Sequence, residues 1–426
     1  MEKLIEIITK LLPLKTEILR VNKVRMDSRQ VEKDDIFFAV NNGKNYIDDV
    51  LKKGAALVIC DDEKWKDNEK VAVVEDTITA MQEIAAAYRK AVSVKIIGIV
   101  GSNGKTTTKD IIYSVMSSKY RCKKTEGNYN NHIGVPYTLL QIEETDDFAV
   151  VEMGMSSRGE IKVLCDIAAP DYGVMTNIGD SHLEFLLNRD NVFAEKGEIK
   201  EYVAPENLIL FGDDVYLKTL KGVKAGFEEE NDYVIKNYKE NSDGVSFEIE
   251  RETYSFNMNG KHNCINAALG VVIGKTAGLS YEEIEKGLKN CTVTPMRFQK
   301  IEKNGIKYIN DAYNASPISM RFSLETLENA YKGIPKIAVL ADMGELGENE
   351  KRYHEEVLKY AADLDIDKFI LFGPLMKGAL EKIENKDKFI TAETKDEIKE
   401  IIKKDFADRV ILLKGSNFNH LWEIME

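Results

Sequence analysis

The chain has 426 residues, 43% of them hydrophobic and 31% charged, and 72 acidic against 59 basic residues give a formal net charge of −13. This length allows two to four domains with substantial cores, and the acidic balance argues against coating nucleic acid or a membrane surface, where a basic excess is expected. There is no apolar run of about eighteen residues and no secretory signal at the N-terminus, so a cytoplasmic protein is expected.

The five cysteines, Cys60, Cys122, Cys165, Cys264 and Cys291, are scattered without a C-x-x-C pair and read as reduced thiols. Along the chain, residues 1 to 92 mix short strands (Asp35 to Val40, Ala56 to Ile59) with helices, and the alanine-rich stretch Thr77 to Lys90 closes this unit. Residues 93–293 begin with the apolar run Val94 to Val100. Similar runs recur at Phe148 to Val151, Tyr172 to Met175 and Leu208 to Phe211, with helical patterns between them, the signature of a wound α/β sheet. Residues 232–258 alternate polar and apolar around Asp243-Gly244, an antiparallel extension, and helices follow from Asn263 and after Ser280. Beyond Val293-Thr294-Pro295, residues 294–426 carry apolar runs at Tyr308-Ile309, Lys336 to Leu340, Phe369 to Phe372 and Val410 to Leu413. They form a third, open-sheet α/β unit. The fold class expected is α/β in three domains, with a mostly parallel sheet in the middle.

Gly101-Ser102-Asn103-Gly104-Lys105-Thr106-Thr107 joins an apolar strand to a helix. Such a turn aims several backbone N–H groups and a helix N-terminus at one anion. Lys105 would bridge the β- and γ-phosphates of ATP, and the Thr106 hydroxyl would ligate Mg²⁺. Ile99 stands where the first glycine of G-x-x-x-x-G-K-T belongs, so the loop has the shorter G-x-N-G-K-T form. Alone, the loop suits kinases, GTPases, transporters and ligases.

Glu152 ends the run Phe148 to Val151, where a carboxylate faces the ligand crevice of an open α/β sheet and can hold Mg²⁺. His182 follows the strand Tyr172 to Met175 and would emerge at the same edge. Lys196 falls in a predicted helix and, on spacing alone, reads as a solvated surface charge.

In this order, the G-x-N-G-K-T loop, Glu152, Asn177 to His182, Lys196-Gly197-Glu198, His262-Asn263-x-x-Asn266-Ala267, Arg297 and Asp311-Ala312-Tyr313-Asn314-Ala315-x-Pro317 resemble the Mur ligases of peptidoglycan synthesis. With Asp27-Ser28-Arg29-Gln30-Val31 the resemblance spans nearly the whole chain. Gly127 to Pro136, Tyr313 to Met320 and Leu340 to Gly347 resemble the member that adds the last amino acids, and the Asp-Asn-Pro-Arg motif of the diaminopimelate-adding member does not occur.

The resemblance implies an ATP-dependent amide ligase that acts through an acyl phosphate, with UDP-N-acetylmuramoyl-tripeptide and D-alanyl-D-alanine as its substrates, and a monomer is expected. It implies a UDP-sugar-binding first domain, an ATP-binding second and a Rossmann-like third that binds the amine. Two Mg²⁺ ions are implied, one on Thr106 and Glu152, the other on His182 and a carbamylated Lys196. Asn266 would contact adenine, Asp311 the ribose and Arg297 the γ-phosphate. Ser28 and Arg29 would touch the uridine diphosphate, Asn130 and Asn131 the sugar–phosphate side, and Tyr313, Asn314 and Asp342 the D-alanyl-D-alanine. The alternatives are another amide ligase on this scaffold, such as a folylpolyglutamate synthase, and a P-loop regulatory ATPase.

Overall fold

A computed structural model describes residues 1–180, 183–241 and 243–426. The chain divides into two compact units. One comprises Met1–Val100, Tyr120–Gly173 and Glu198–Asn207, and the other Gly101–Lys119, Val174–Gly197 and Leu208–Glu426.

In the first unit, Val24–Arg25, Ile36–Phe38, Leu57–Cys60 and Val71–Val73 form a four-stranded parallel sheet. Phe37, Val58 and Cys60 are buried from it beside Ile47 and Val50 of the helix Ile47–Lys52. The helix Thr77–Ala91 is capped by Asp76, whose side chain accepts from Thr79 N. The strand Lys95–Val100 pairs in parallel with Phe148–Glu152, which pairs with Cys122–Lys124. Residues 96–100 and 148–151 are buried apolar runs, as expected of strands covered on both faces.

In the second unit, Leu208–Phe211, Val223–Gly226 and Tyr233–Val234 pair in parallel. The predicted antiparallel extension is a three-stranded meander of Lys236–Asn241, Gly244–Ile249 and Glu252–Phe256. The phosphate-loop helix Lys105–Met116 packs along the helix Lys261–Thr276, and Tyr281–Lys289 opens on a Ser280/Glu283 capping box.

The C-terminal six-stranded sheet has the order Gln299–Lys303, Ile306–Asp311, Val410–Lys414, Lys336–Ala341, Lys368–Phe372, Phe389–Ala392. All pairs are parallel except that of the edge strand Gln299–Lys303. The last strand in the chain therefore lies between two strands that are consecutive in sequence. This switch in order opens a crevice at the carboxyl ends of Ile306–Asp311, Val410–Lys414 and Lys336–Ala341. Ile337, Val339, Ile411 and Leu413 are fully buried there, each worth about 1.5–3 kcal/mol of apolar burial.

Several strands carry no apolar run: Gln299–Lys303 alternates polar residues along an edge, and Val24–Arg25 has only two residues. All five cysteines are free, and among the described residues no helix is long and apolar enough to cross a membrane.

Candidate functional site

The glycine-rich loop is braced by the segment that follows the strand Tyr172–Met175. Ser102 N donates to Asn177 O at 2.9 Å and Asn103 N to Asn177 Oδ1 at 3.0 Å. The Thr176 hydroxyl and Asn177 Nδ2 donate to Asn103 O at 2.6 and 2.9 Å, and Gly179 N donates to Ser102 Oγ at 2.9 Å. The part of the Asn177–His182 motif that is described thus shapes the loop itself. His182 lies outside the described residues.

Gly104 precedes the helix with φ +82°, a left-handed backbone that disfavours any residue with a Cβ. A Cβ there would also lie 2.8 Å from Asn266 Oδ1. Asn266 is therefore buried against the phosphate loop, its Nδ2 donating to Asn263 Oδ1 at 3.3 Å. Lys105 Nζ donates to the loop carbonyls of Gly101 at 2.8 Å and Ser102 at 3.4 Å. Thr106 and Thr107 are buried in the first turn.

Lys196 corrects the reading made from spacing. It is the last residue of the helix Arg189–Lys196 and is 0% exposed. Its Nζ has no hydrogen-bond partner among the described residues. Burial, and next the charge of Lys105, drive its pKa well below the ordinary lysine value. A buried amine in this state favours the neutral form.

Arg297 comes to the same loop, with Nη2 donating to the Thr106 hydroxyl at 3.2 Å and the guanidinium 4.1 Å above the Tyr313 ring. Asp311, at the carboxyl end of its strand, is held by three partners. Lys414 Nζ lies 2.8 Å from Oδ2, Ser323 Oγ donates to the same oxygen at 2.5 Å, and Phe298 N donates to Oδ1 at 3.1 Å. Burial pushes Lys414 down in pKa, with Asp311 opposing. Lys414 also donates to the Asn314 carbonyl at 2.9 Å. Sequence reasoning missed this lysine, although it ends the apolar run Val410 to Leu413. Ser316, the cap of the helix Pro317–Ala330, donates to Asn103 Oδ1 at 3.2 Å. Asp342 is buried at the same sheet edge, and its carboxylate accepts from Leu375 N and Met376 N at 3.3 and 2.7 Å. One unit thus gathers the loop, Lys196, Asn266, Arg297, Asp311, Tyr313, Asn314 and Asp342.

The other predicted residues lie in the first unit. Glu152 is 2% exposed at the end of its strand, and Asn130 Nδ2 donates to its Oε1 at 2.9 Å. Asn131 Oδ1 accepts from Ile133 N and Gly134 N, while Asn131 also lines a cavity of about 430 Å³ with Met26, Asp27, Asn41, Asn42 and Tyr129. Arg29 makes an exposed bidentate pair with Asp27, which lowers the Asp27 carboxyl to about 2 through that hydrogen bond. Ser28 opens the short turn Ser28–Gln30 beside them.

Among the described residues no group of three or more His, Cys, Asp and Glu could cage a metal. Mg²⁺ needs no such cage, because it takes one or two protein oxygens and completes its shell with phosphate and water. A buried carboxylate at Glu152 and a hydroxyl at Thr106 are donors of that kind.

Residues 99–274 match the family model for the Mur ligase middle domain, and residues 296–417 that for the Mur ligase glutamate ligase domain. The UDP-N-acetylmuramoyl-tripeptide–D-alanyl-D-alanine ligase of Bacillus subtilis is 34% identical over 95% of this chain and 93% of its own length. A crystal structure of MurF from Acinetobacter baumannii superposes with a TM-score of 0.87 at 28% identity, covering 100% of this chain and 97% of that one. MurF from Thermotoga maritima in complex with ADP gives a TM-score of 0.83 at 27% identity, over 96% and 97%.

Proposed function

Because the chain belongs to the Mur ligase family, we propose that it joins D-alanyl-D-alanine to the terminal carboxylate of UDP-N-acetylmuramoyl-tripeptide, converting ATP to ADP and phosphate. A carboxylate oxygen attacks the γ-phosphorus, the bond from that phosphorus to the bridging oxygen of ADP breaks, and an acyl phosphate forms. The amine of D-alanyl-D-alanine then attacks the acyl carbon, phosphate leaves with the C–O bond electrons, and the nitrogen loses a proton to give the amide. The observation that carries this reading is one unit in which Lys105, Arg297 and a fully buried Lys196 accompany a phosphate loop.

Two anions must meet in the first step, and unit charges repel by about 4 kcal/mol at about 4 Å in an effective dielectric of about 20. Lys105 and Arg297 offset that repulsion by fixed positive charge, and Mg²⁺ on the Thr106 hydroxyl would supply more. Lys196 suits carbamylation, since only a neutral amine adds CO₂ and its Nζ has no competing partner among the described residues. Its carbamate, with His182, would complete a second Mg²⁺ site. Asn266 would meet adenine and Asp311 the ribose, with Asp311 already oriented by Lys414. The cavity beside Asn131, with Ser28, Arg29 and Asn130 near it in sequence, would take the UDP-sugar. Tyr313, Asn314 and Asp342 would face the dipeptide. The ATP and nucleotide-sugar substrates, together with five free thiols, favour a cytoplasmic setting.

Phosphate release is to be measured with UDP-N-acetylmuramoyl-tripeptide and, in turn, D-alanyl-D-alanine, L-alanine, D-glutamate and diaminopimelate as acceptors. Release is expected with D-alanyl-D-alanine. Turnover with a single amino acid alone, or ATP hydrolysis that needs no acceptor, overturns the reading.

A further inference from the structure

Arg297 sits on a short irregular stretch whose backbone is unusual. Met296 and Phe298, on either side of it, have φ of +63° and +49°, the left-handed region that side chains with a Cβ disfavour. Such backbone persists only where its surroundings hold it. On the downstream side Gln299 Oε1 accepts from Met296 N at 3.0 Å, and Asp311 Oδ1 accepts from Phe298 N.

The upstream side is held from the phosphate-loop helix. Thr294 donates both its backbone N–H and its hydroxyl to Oδ2 of Asp110, each at 2.7 Å. Asp110 is 1% exposed, and the equally buried Lys109 has its Nζ 3.5 Å from Oδ1. Pro295 confines Thr294 to an extended backbone, which presents both donors together. Asp110 follows Thr106 by four residues, so the two share one face of the helix. Thr106 meets Arg297, and Asp110 meets Thr294 three residues earlier. The helix and the linker are thus joined by two rungs, one at each end of the Thr294–Arg297 segment.

We propose that Asp110 and Thr294 are positioning residues, which lock the linker onto the phosphate-loop helix and so deliver the Arg297 guanidinium to the transferring phosphoryl group. The inference rests on the role given to Arg297 above. A buried, ion-paired carboxylate that accepts two bonds from one linker residue fixes direction as well as distance. The chemistry demands that, because a displacement of about 1 Å at a reacting centre can lower a rate about a hundredfold.

The test uses the full chain with Thr294→Val, which keeps the shape and the backbone bond but removes the hydroxyl donor, and Thr294→Ser, which restores the donor. Thr294→Val is expected to lower kcat about tenfold, equal to about 1.4 kcal/mol, with KM for ATP and ADP affinity nearly unchanged. Thr294→Ser should recover most of kcat. In a double-mutant cycle with Arg297→Ala, the double variant should be no slower than Arg297→Ala alone. Wild-type kcat in Thr294→Val, or a double variant that multiplies the two losses, overturns the clamp while leaving Arg297 its role. Wild-type turnover in Arg297→Ala overturns the role itself.

Discussion

Lys196 gives the most discriminating test of the site, because the reaction and the fold make opposite demands on it. A side chain with 0% exposure and no hydrogen-bond partner for Nζ among the described residues contributes nothing favourable to folding through its amine. Leaving such a group buried and unpaired costs about 1–3 kcal/mol. Lys196→Met replaces it with an unbranched apolar chain and recovers that amount, a rise in the thermal midpoint of a few degrees, since 1 kcal/mol corresponds to about 2–4 °C in a domain of about 150–250 residues. The pH dependence has a definite sign. The folded pKa is depressed, so below the ordinary lysine value the unfolded chain binds a proton that the folded chain refuses. The advantage of Lys196→Met should therefore grow as the pH falls and shrink towards the ordinary lysine range.

Turnover should move the other way. Removing the carbamate that would help hold a second Mg²⁺ takes away one electrostatic stabiliser of the transferring phosphoryl group, a loss of a factor of about 10²–10³, so Lys196→Met should be more stable and nearly inactive. Calorimetry in bicarbonate-free buffer with and without added bicarbonate, alongside phosphate release, reads both effects. Added bicarbonate should raise wild-type activity and leave Lys196→Met unchanged. Lys196→Ala should regain part of its activity with short-chain carboxylic acids, which restore the anion. A lower midpoint in Lys196→Met, or wild-type turnover in it, refutes the argument. Failure of both rescues would leave a buried lysine without a carbamate.

Two further outcomes follow from the packing. A Cβ at Gly134 would lie 2.2–2.4 Å from the backbone of Tyr129, so Gly134→Ala must displace the segment that carries Asn130 and Asn131. A loss of about 1–3 kcal/mol is expected, with KM for the UDP-sugar rising more than KM for ATP; unchanged midpoint and KM values would refute the fit. His354 is fully buried, with Nδ1 donating to Glu350 O at 2.7 Å and Nε2 accepting from Met343 N at 2.9 Å, and burial lowers its pKa. Its contribution to stability is complete above the ordinary imidazole value of 6.5 and falls as the pH drops below it, by at most about 1.4 kcal/mol per pH unit. His354→Gln should flatten that slope in chemical denaturation between pH 5 and pH 7, and an unchanged slope would refute the assignment.

The strands legible in the sequence are those whose burial is continuous. Tyr172–Met175 and Leu208–Phe211 keep their expected limits because both faces are covered and every position is apolar or small. Gln299–Lys303, Cys122–Lys124 and Phe389–Ala392 were not legible, because edge or short strands owe their state to a neighbour's ladder and carry no apolar run of their own. The helix around Lys196 was legible but its buried face was not, since Arg189–Lys196 has polar residues on every side. A lysine in such a helix looks solvated until the fold covers it.

The site divides in the same way. Residues that act from one turn of chain, such as Gly104, Lys105 and Thr106, announce themselves because helix, turn and phosphate cradle are local. Partners brought together by topology do not. Lys414 reaches Asp311 only because the last strand lies between Ile306–Asp311 and Lys336–Ala341, an order that no spacing encodes. Asp110 and Thr294 lie 184 residues apart, and each alone reads as an ordinary polar residue of a helix or linker. Motifs mark the groups proposed to meet the phosphates. The groups that aim them, Lys414 at Asp311 and Asp110 at Arg297, become visible only when the sheet order and the helix face are known, and a variant series confined to the motifs would therefore leave them untested.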